Sequence, residues 1–327
     1  MKRFTGIMRN TREDRAVAEI IGTILVFAIV VSVFTAFVAW YVPTTGTANE
    51  QAYQNSALTA FSELAAKLSS DTVQNGSTIV QDIPLGIAGV PPFQPSTSTQ
   101  ISSDPTSSVF NFSLSFNLSL NYTITNNTHK NMNEHVNLTG KGYLMEFGLT
   151  NFVSPESFMI QDGDLVTSYG LPGQSASYGP MPVFISNNTS QLALKTSAIS
   201  VAGYPVTLSQ VGSVVVTMAV SNYTAFSYSV GHHHQYLIGG NLSVVDSINV
   251  SDYHYYVRTP YFSQWNYSLY SSLNGSASAF NPHPAGTSWK HGNFTVSVGS
   301  GSIDIFANKV SVTSIQFQSY VVSIIGT

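Results

Sequence analysis

The stretch that decides the fold runs from Ile20 to Val42 and reads IIGTILVFAIVVSVFTAFVAWYV, 23 residues without a charged side chain. As an α-helix rising about 1.5 Å per residue it spans roughly 35 Å, enough to cross a hydrocarbon core of about 30 Å. On a membrane-insertion scale, the favourable free energy of its Leu, Ile, Val and Phe side chains exceeds the cost of the few hydroxyls and Gly22. The sequence therefore predicts a transmembrane helix, over residues 17–43, rather than the core helix of a soluble protein.

The charges on either side of this run predict its orientation. Five of the twelve basic residues precede the run, and the next one after it is Lys67. Because Lys and Arg are retained on the cytoplasmic side of a membrane, residues 1–16 are predicted to be cytoplasmic and everything after Pro43 to lie outside the cell.

The junction between the basic leader and the helix predicts how the chain is processed. A secretory signal has an apolar core of about 7–15 residues followed by a small-residue cleavage site, whereas this run is longer and is followed by Pro43. A small residue preceded by a base occurs instead before the run, at Arg15-Ala16. This arrangement resembles the class III signal of archaeal type IV pilin-like proteins, which implies cleavage between Ala16 and Val17. The alternative is an uncleaved signal anchor with the same topology.

The resemblance also implies an architecture and a set of partners. Proteins of this kind have an N-terminal hydrophobic helix and a β-rich extracellular head. The implied partners are other copies of the chain or other pilin-like subunits, a prepilin peptidase, an assembly platform with its ATPase, and an oligosaccharyltransferase; no cofactor is implied. Bacterial type IV pilins carry a glutamate at the fifth position of the mature helix, whereas Glu19 is third here. A carboxylate in that first turn also satisfies free N–H groups of its own helix, so both roles stay open.

Composition excludes some classes of function. Without residues 1–16 the chain has seven Lys and Arg against fourteen Asp and Glu. This sparse, mildly acidic balance argues against nucleic-acid binding. Charged residues are only 9% of the chain, so solubility depends on hydroxyls and amides, and we hypothesise an extreme, acidic exterior. Cysteine is absent, which excludes disulfides and thiolate chemistry.

A second helix is predicted for residues 44–70. Pro43 is expected to end the first helix, and Thr47 with Glu50 has the form of a capping box. An apolar stripe follows at helical spacing and is expected to dock on the head; it consists of Tyr53, Ala57, Phe61, Leu64 and Leu68. Residues 71–107 are rich in Pro, Gly and Ser and are predicted to be a linker with at most short strands.

Residues 108–327 are predicted to form the extracellular head. Bulky side chains occupy the even positions of 110–124 and Asn, Ser or Thr the odd ones, which indicates a strand with one buried face. Similar segments follow, and 294–305 predicts a hairpin around Gly299–Ser302. The fold class is therefore mainly β, an antiparallel β-sandwich type of head, one large or two stacked with a boundary near 170–182. No helix is predicted within it.

Fourteen Asn-x-Ser/Thr sequons lie on the predicted outside and are glycosylation candidates. They are Asn75, Asn111, Asn117, Asn121, Asn126, Asn137, Asn187, Asn188, Asn222, Asn241, Asn249, Asn266, Asn274 and Asn293. Those at positions 111, 117 and 121 lie on the predicted solvent-exposed face of the 110–124 strand. Asn222 is at an even-numbered position, as are the bulky residues of its own segment. This suggests that Asn222 lies at the end of a strand.

Few residues suggest a metal site. His232 and His234, two apart on a strand, would share a face, with His254 as a third ligand from a neighbouring strand. A polar turn is the alternative for the histidine run. Asp162-Gly163-Asp164 is too short for a calcium loop and indicates a turn.

No motif indicates an enzyme. The sequence has no nucleophile elbow, zinc-protease helix or P-loop. The aromatic residues around Trp265 suggest either a sugar-stacking patch or, as the simpler interpretation, aromatic residues of the core or of a sheet surface. They are Trp265, Tyr267, Tyr270, Tyr253, Tyr255 and Tyr256.

The sequence thus predicts a structural or adhesive subunit of an archaeal type IV pilus-like surface filament, or a minor subunit at its tip. Residues expected to serve assembly are Glu19, which the pilin resemblance implies, and the small residues Gly22, Ala28, Ser32 and Ala36. The last three, at spacings of four, allow close helix packing. The alternative is a membrane-anchored surface glycoprotein or binding module that does not polymerise. Both place the chain in the cell membrane, with its head outside.

Overall fold

The computed structural model of the chain describes residues 10–124, 128–147, 152–153, 156–169, 175–177, 182–188, 191–231, 233–234, 243–274, 285–291 and 293–326. Over these ranges the chain forms a long N-terminal helix, α1 (Asn10–Leu68), a short helix, α2 (Phe262–Asn274), and eighteen strands. The strands are β1 (Thr78–Leu85), β2 (Thr99–Asp104), β3 (Asn111–Ile124), β4 (Thr128–Lys141), β5 (Tyr143–Phe147), β6 (Glu156–Gln161), β7 (Asp164–Tyr169), β8 (Ser175–Ser177), β9 (Val183–Asn188), β10 (Gln191–Ala202), β11 (Val206–Gln210), β12 (Gly212–Ser229), β13 (His233–His234), β14 (Ser243–Arg258), β15 (Thr287–His291), β16 (Phe294–Val298), β17 (Ser302–Val312) and β18 (Ser314–Gly326).

Helix α1 is continuous, which corrects the prediction of two helices separated at Pro43. Pro43 lies inside the helix. A proline removes the helical hydrogen bond to one carbonyl, here that of Ala39, but contacts of Asn49 and Glu50 with loops of the head hold the following turns in place. Thr47 and Glu50 do not cap a new helix, since the backbone at both is already helical.

The strands form three sheets. A five-stranded sheet has the order β1-β12-β18-β10-β9, and a six-stranded sheet the order β11-β2-β5-β6-β7-β8. The seven-stranded sheet has the order β15-β16-β17-β14-β3-β4, with β13 pairing β14. Neighbours are antiparallel except β10 and β18, which are parallel. The mainly β fold is therefore confirmed.

The five-stranded sheet lies between two hydrophobic cores. On β18, Ile315 and Phe317 belong to the core shared with the seven-stranded sheet. Tyr320 and Val322 belong to the core shared with α1 and the six-stranded sheet. Because successive side chains of a strand point to opposite faces, the two cores use opposite faces of this sheet.

The head has no division near residues 170–182. Strands from either side of that stretch pair directly: β1 with β12, β2 with β11, and β3 with β14. A split there would separate strands that are hydrogen-bonded to each other in all three sheets. Strands from both sides of residues 170–182 thus belong to the same three sheets.

Because of a β-bulge, β12 contributes side chains to both hydrophobic cores. Pairing with β18 shifts between Ser221 and Thr224, and Asn222 lies there with a φ of 51°. One extra residue reverses the face to which later side chains point. Val220 therefore packs in the α1 core and Phe226 against the other. Asn222 lies in this bulge and not at a strand end as predicted.

Two further segments differ from the sequence interpretation. The predicted linker 71–107 contains β1 and β2, and their side chains Ile83 and Ile101 are buried. Pro84 is tolerated in β1 because that strand lies at the edge of its sheet. Helix α2 interrupts the β pattern, and its Trp265 and Leu269 are buried in the core of the seven-stranded sheet.

The docking stripe on the C-terminal half of α1 is confirmed. All five of its predicted residues are buried in one core. The ring of Phe61 stacks against Phe158 of β6 with centroids 5.7 Å apart. This half of α1 is therefore part of the head rather than a stalk beneath it.

We expect the Phe61→Ala substitution to lower the free energy of unfolding by about 3–5 kcal/mol, because it leaves a cavity between α1 and β6. The measurement is urea unfolding of the full chain in detergent, followed by tryptophan fluorescence. Thr59→Ala, two positions away on the exposed face of α1, is the matched control. Equal midpoints for the two variants would contradict the docking of α1.

Candidate functional site: the apolar helix and its junction with the head

The N-terminal half of α1 carries a surface that is unsuited to water. Its segment from Val17 onward is long and apolar enough to cross a membrane, and the most apolar window is fully unburied. Fourteen large apolar side chains between Val17 and Trp40 are exposed. At about 1.5 kcal/mol each their burial is worth on the order of 20 kcal/mol, more than the roughly 5–15 kcal/mol that keeps a domain folded. This surface requires lipid or protein around it.

The hydroxyl groups in this segment are satisfied within the helix. Thr23 donates to the carbonyl of Glu19 at 3.0 Å, and Ser32 to that of Ala28 at 2.7 Å. Thr35 donates to the carbonyl of Val31, also at 2.7 Å. Such bonds remove the cost of placing a hydroxyl in a membrane. No charged residue occurs between Glu19 and Glu50, so 30 consecutive residues of α1 are uncharged.

The residues predicted to serve processing and assembly lie along this helix. The backbone of Arg15 and Ala16 is helical and continues directly into Val17. Glu19 is exposed, and because α1 begins at Asn10 its carboxylate is not in a first turn of the full-length chain. The capping role proposed for it therefore applies only to a chain that begins at Val17.

The small residues form an unobstructed stripe. Ala28, Ser32 and Ala36 are exposed at spacings of four. A Cβ atom added at Gly22 would meet nothing within 4 Å, so this glycine leaves room for another helix. These positions lie where the prediction of close helix packing needs them.

Glu50 holds α1 to the head where the helix leaves its apolar part. Its side chain is buried, and its Oε2 atom accepts hydrogen bonds from the backbone N–H groups of Phe152, at 2.8 Å, and Val153, at 2.9 Å. One turn earlier, a Cβ atom on Gly46 would lie 2.2 Å from the ring of Phe152. Gly46 therefore gives Phe152 room to pack on the helix backbone, and Glu50 fixes the same loop through two charge-assisted bonds.

The C-terminal end of α1 meets the turn that the sequence predicted at Asp162-Gly163. Both residues have positive φ angles, 50° and 80°, as a two-residue hairpin between β6 and β7 requires. The hydroxyl of Ser69 donates to the carbonyl of Gly163 at 3.5 Å. The tip of this hairpin thus contacts the end of α1.

The carboxyl group of Asp162 joins strands of two sheets. Its Oδ1 atom accepts from the N–H of Ile199 in β10 at 2.5 Å, and its Oδ2 atom from the hydroxyl of Tyr255 in β14 at 2.6 Å. Burial raises the pKa of Asp162 well above its ordinary value; the two hydrogen bonds oppose this, and the nearby Asp164 adds to it. Burial likewise raises the pKa of Tyr255. The arrangement therefore favours a neutral Asp162.

We expect the stability of the head to fall as pH rises through the folded-state pKa of Asp162. A carboxyl whose pKa is raised on folding binds more protons in the folded state, so its contribution is complete below the unfolded value of about 3.9 and is lost above the raised one. Asp162→Asn keeps the shape and removes the titration, so its urea midpoint should depend less on pH from acid to neutral conditions. Asp82→Asn, at an exposed site, is the control, and identical pH profiles for the two variants would contradict this assignment.

The histidines considered as metal ligands do not come together in the described part of the chain. His232 lies outside the described residues, and His234 pairs through its backbone with Ser243, at the start of β14. His254 is eleven residues further along β14, about 36 Å at 3.3 Å per residue. Its Nε2 atom lies 2.8 Å from the Oδ1 atom of Asp304 instead. Among the described ranges, no three metal-ligating side chains come together.

One sheet face carries a cluster of sequons. The odd residues of β3 face away from the core, as the alternation predicted, and they include Asn111, Asn117 and Asn121. Asn137 pairs with Ser115, and Asn249 with Ser119, so both lie on the same outer face. Five sequons therefore share the outside of the seven-stranded sheet.

The remaining sequons are more scattered. Asn75, Asn222 and Asn293 are exposed. Asn266 is fully buried in α2, and its Oδ1 atom accepts from the indole N–H of Trp289 at 3.3 Å. Burial removes Asn266 from the glycosylation candidates in the folded head. Asn126 and Asn241 lie outside the described residues. For Asn187, Asn188 and Asn274 only the backbone is described.

The aromatic residues around Trp265 mainly build the core. Trp265, Tyr253 and Tyr255 are buried, and Trp265 stacks on Tyr255 with ring centroids 6.5 Å apart. Tyr270 meets Trp289 edge-on at 5.3 Å, and Tyr267 is exposed. Four of the six side chains, Trp265, Tyr253, Tyr255 and Tyr270, therefore belong to the core or pack against it rather than forming a sugar-stacking patch.

No protein-family model matches the chain, and no curated protein or solved structure matches it either. An N-terminal long apolar helix followed by a β-rich domain fits a pilin-like architecture. The functional interpretation therefore depends on the chain's own geometry.

Proposed function

We propose that the chain is a structural or adhesive subunit of an archaeal type IV pilus-like surface filament, or a minor subunit at its tip. Its N-terminal helix first resides in the membrane with the leader in the cytoplasm. Cleavage after Ala16 then releases a mature subunit that begins at Val17. The helix packs among those of other subunits, and the head covers the outside.

The observation that carries this proposal is the rigid connection between the exposed apolar helix and the head. Helix α1 continues from Val17 through Pro43 to Leu68 without a linker, and its last turns are buried in the head. A regular filament requires each head to keep one orientation relative to its helix. A tethered surface protein has no such requirement.

The alternative is a membrane-anchored surface glycoprotein or binding module that does not polymerise. The same helix supports it, because lipid satisfies the apolar surface as well as other helices do. The stripe of Ala28, Ser32 and Ala36 favours assembly, since small residues at this spacing permit close backbone approach. The partners in assembly would be copies of the chain or related subunits, the prepilin peptidase, the platform with its ATPase, and an oligosaccharyltransferase.

The test compares protein sheared from the cell surface with protein left in the membrane. We expect N-terminal sequencing of the sheared protein to begin at Val17. We expect Ser32→Leu, which fills the small-residue stripe, to deplete the sheared fraction while the membrane fraction remains. Val33→Leu, on the neighbouring exposed position, is the matched control and should still shear.

A Met1 start confined to the membrane fraction would contradict the filament proposal and leave the anchored glycoprotein. Equal recovery of the two leucine variants in the sheared fraction would show that the stripe is not an assembly surface. Cleavage with no sheared protein would indicate a processed protein that stays in the membrane.

We further propose that the outer face of the seven-stranded sheet carries the glycans. Glycans are accommodated where asparagines point to solvent from a rigid sheet. Glycopeptide mass spectrometry of surface protein should find occupied sites among Asn111, Asn117, Asn121, Asn137 and Asn249, and none at Asn266. A glycan on Asn266, or a mass equal to that of the bare polypeptide, would contradict this proposal.

A further inference from the structure

We propose that a finger of the head, residues 87–97, inserts its tip into the outer leaflet of the membrane beside α1. The inference depends on the proposed membrane span of α1 and not on filament assembly. It adds a second, non-helical membrane contact to the chain.

The finger is a narrow hairpin whose tip is apolar. Ile87 and Thr97 exchange backbone hydrogen bonds at its base, and Val90 and Gln94 do so near its end. The tip between them is Pro91-Pro92-Phe93, and all three residues are exposed. A tip of this composition has no evident role in the head core.

The backbone of the tip leaves no N–H group without a partner. Prolines have no N–H group, and the N–H of Phe93 donates to the carbonyl of Val90 at 2.7 Å. The tip therefore has no free backbone donor, which would be costly in lipid. Residues 83–103 also contain no charged side chain, so nothing on the finger opposes insertion.

The finger is held against α1 at the level where the helix leaves the membrane. The Nδ2 group of Asn49 donates to the carbonyls of Ala88, at 3.2 Å, and Gly89, at 2.9 Å. The ring of Phe93 lies 6.2 Å from that of Phe34 and 6.3 Å from that of Tyr41. The finger therefore points back along the helix, toward the cytoplasmic end.

The depth of the tip follows from the helix. Trp and Tyr side chains favour the interface between lipid and water, which places Trp40 and Tyr41 at the outer boundary. Phe34 is seven residues, or about 10 Å, further into the membrane. Since Phe93 is nearly equidistant from Phe34 and Tyr41, its ring lies about 5 Å below the boundary, at the depth of the upper acyl chains.

The occupant of this surface is lipid because the tip is continuous with the membrane face of α1. Phe34 is itself exposed on the most apolar part of the helix. A ring packed beside it shares the same surroundings. The alternative occupant is a second copy of the chain, and quenchers carried by the lipid distinguish it from lipid.

The test uses single cysteines in the full chain, which has no native cysteine. Phe93→Cys, Val33→Cys within the helix and Ser300→Cys in an exposed turn of the head each receive an environment-sensitive fluorophore. The labelled proteins are placed in phosphatidylcholine vesicles at a low protein-to-lipid ratio. Some of the lipid carries a spin-label quencher, either near the carbonyl end or near the methyl end of an acyl chain.

We expect the label at position 93 to show a blue shift and to be quenched more by the shallow quencher than by the deep one. The label at position 33 should be quenched more by the deep quencher, and that at position 300 by neither. Asn49→Ala, added to Phe93→Cys, should reduce quenching at position 93, because it releases the base of the finger.

The inference is overturned if position 93 behaves like position 300 while position 33 is quenched. A blue shift at position 93 that appears only at high protein-to-lipid ratio, without lipid quenching, assigns the tip to a second copy and also overturns it. Absence of quenching at positions 33 and 93 together contradicts the membrane span of α1, and with it the first step of the proposed function.

Discussion

The uninterrupted backbone of α1 between Val42 and Glu50 is the constraint on which the rest of the structure depends. On one side of it lies an apolar surface whose burial is worth on the order of 20 kcal/mol, and on the other a stripe that forms part of the head core. Because one helix carries both, the head cannot turn independently of the apolar segment. Gly46, Asn49 and Glu50 strengthen this connection through contacts with two loops of the head.

The head is organised around the same helix. The five-stranded sheet separates a core that includes α1 from a core closed by the seven-stranded sheet. Asp162 connects the two, since it bonds β10 and β14 from a hairpin whose next residue meets the end of α1. The outer face of the seven-stranded sheet carries polar side chains and sequons.

Much of this was predictable where one local period governs a whole element. The alternation over 110–124 predicted β3 and its outward asparagines, and the hairpin of β16 and β17 followed from two alternating runs around a glycine turn. The stripe from Tyr53 to Leu68 predicted docking because a helix with an apolar face must bury it.

Other features depend on contacts that local patterns do not contain. Pro43 and the Thr47–Glu50 pair follow the rules for a helix break, yet Glu50 is used by a loop about 100 residues away. Helix α2 is rich in Ser, Asn and Tyr, which are weak helix formers, so its apolar spacing of Phe262, Trp265 and Leu269 was missed. The spacing of the histidines could not show that His234 and His254 are far apart, because two strands can be neighbours while particular residues on them are distant.

The most direct test of the central claim is a distance across Pro43. Spin labels at Val33→Cys and Asn55→Cys, both exposed positions on α1, are 22 residues apart. Double electron–electron resonance on the full chain in lipid bilayers should give one narrow distribution near 33 Å, the rise of a continuous helix. A broad distribution, or one centred at a clearly shorter distance, would show a hinge at Pro43 and contradict the rigid connection between helix and head.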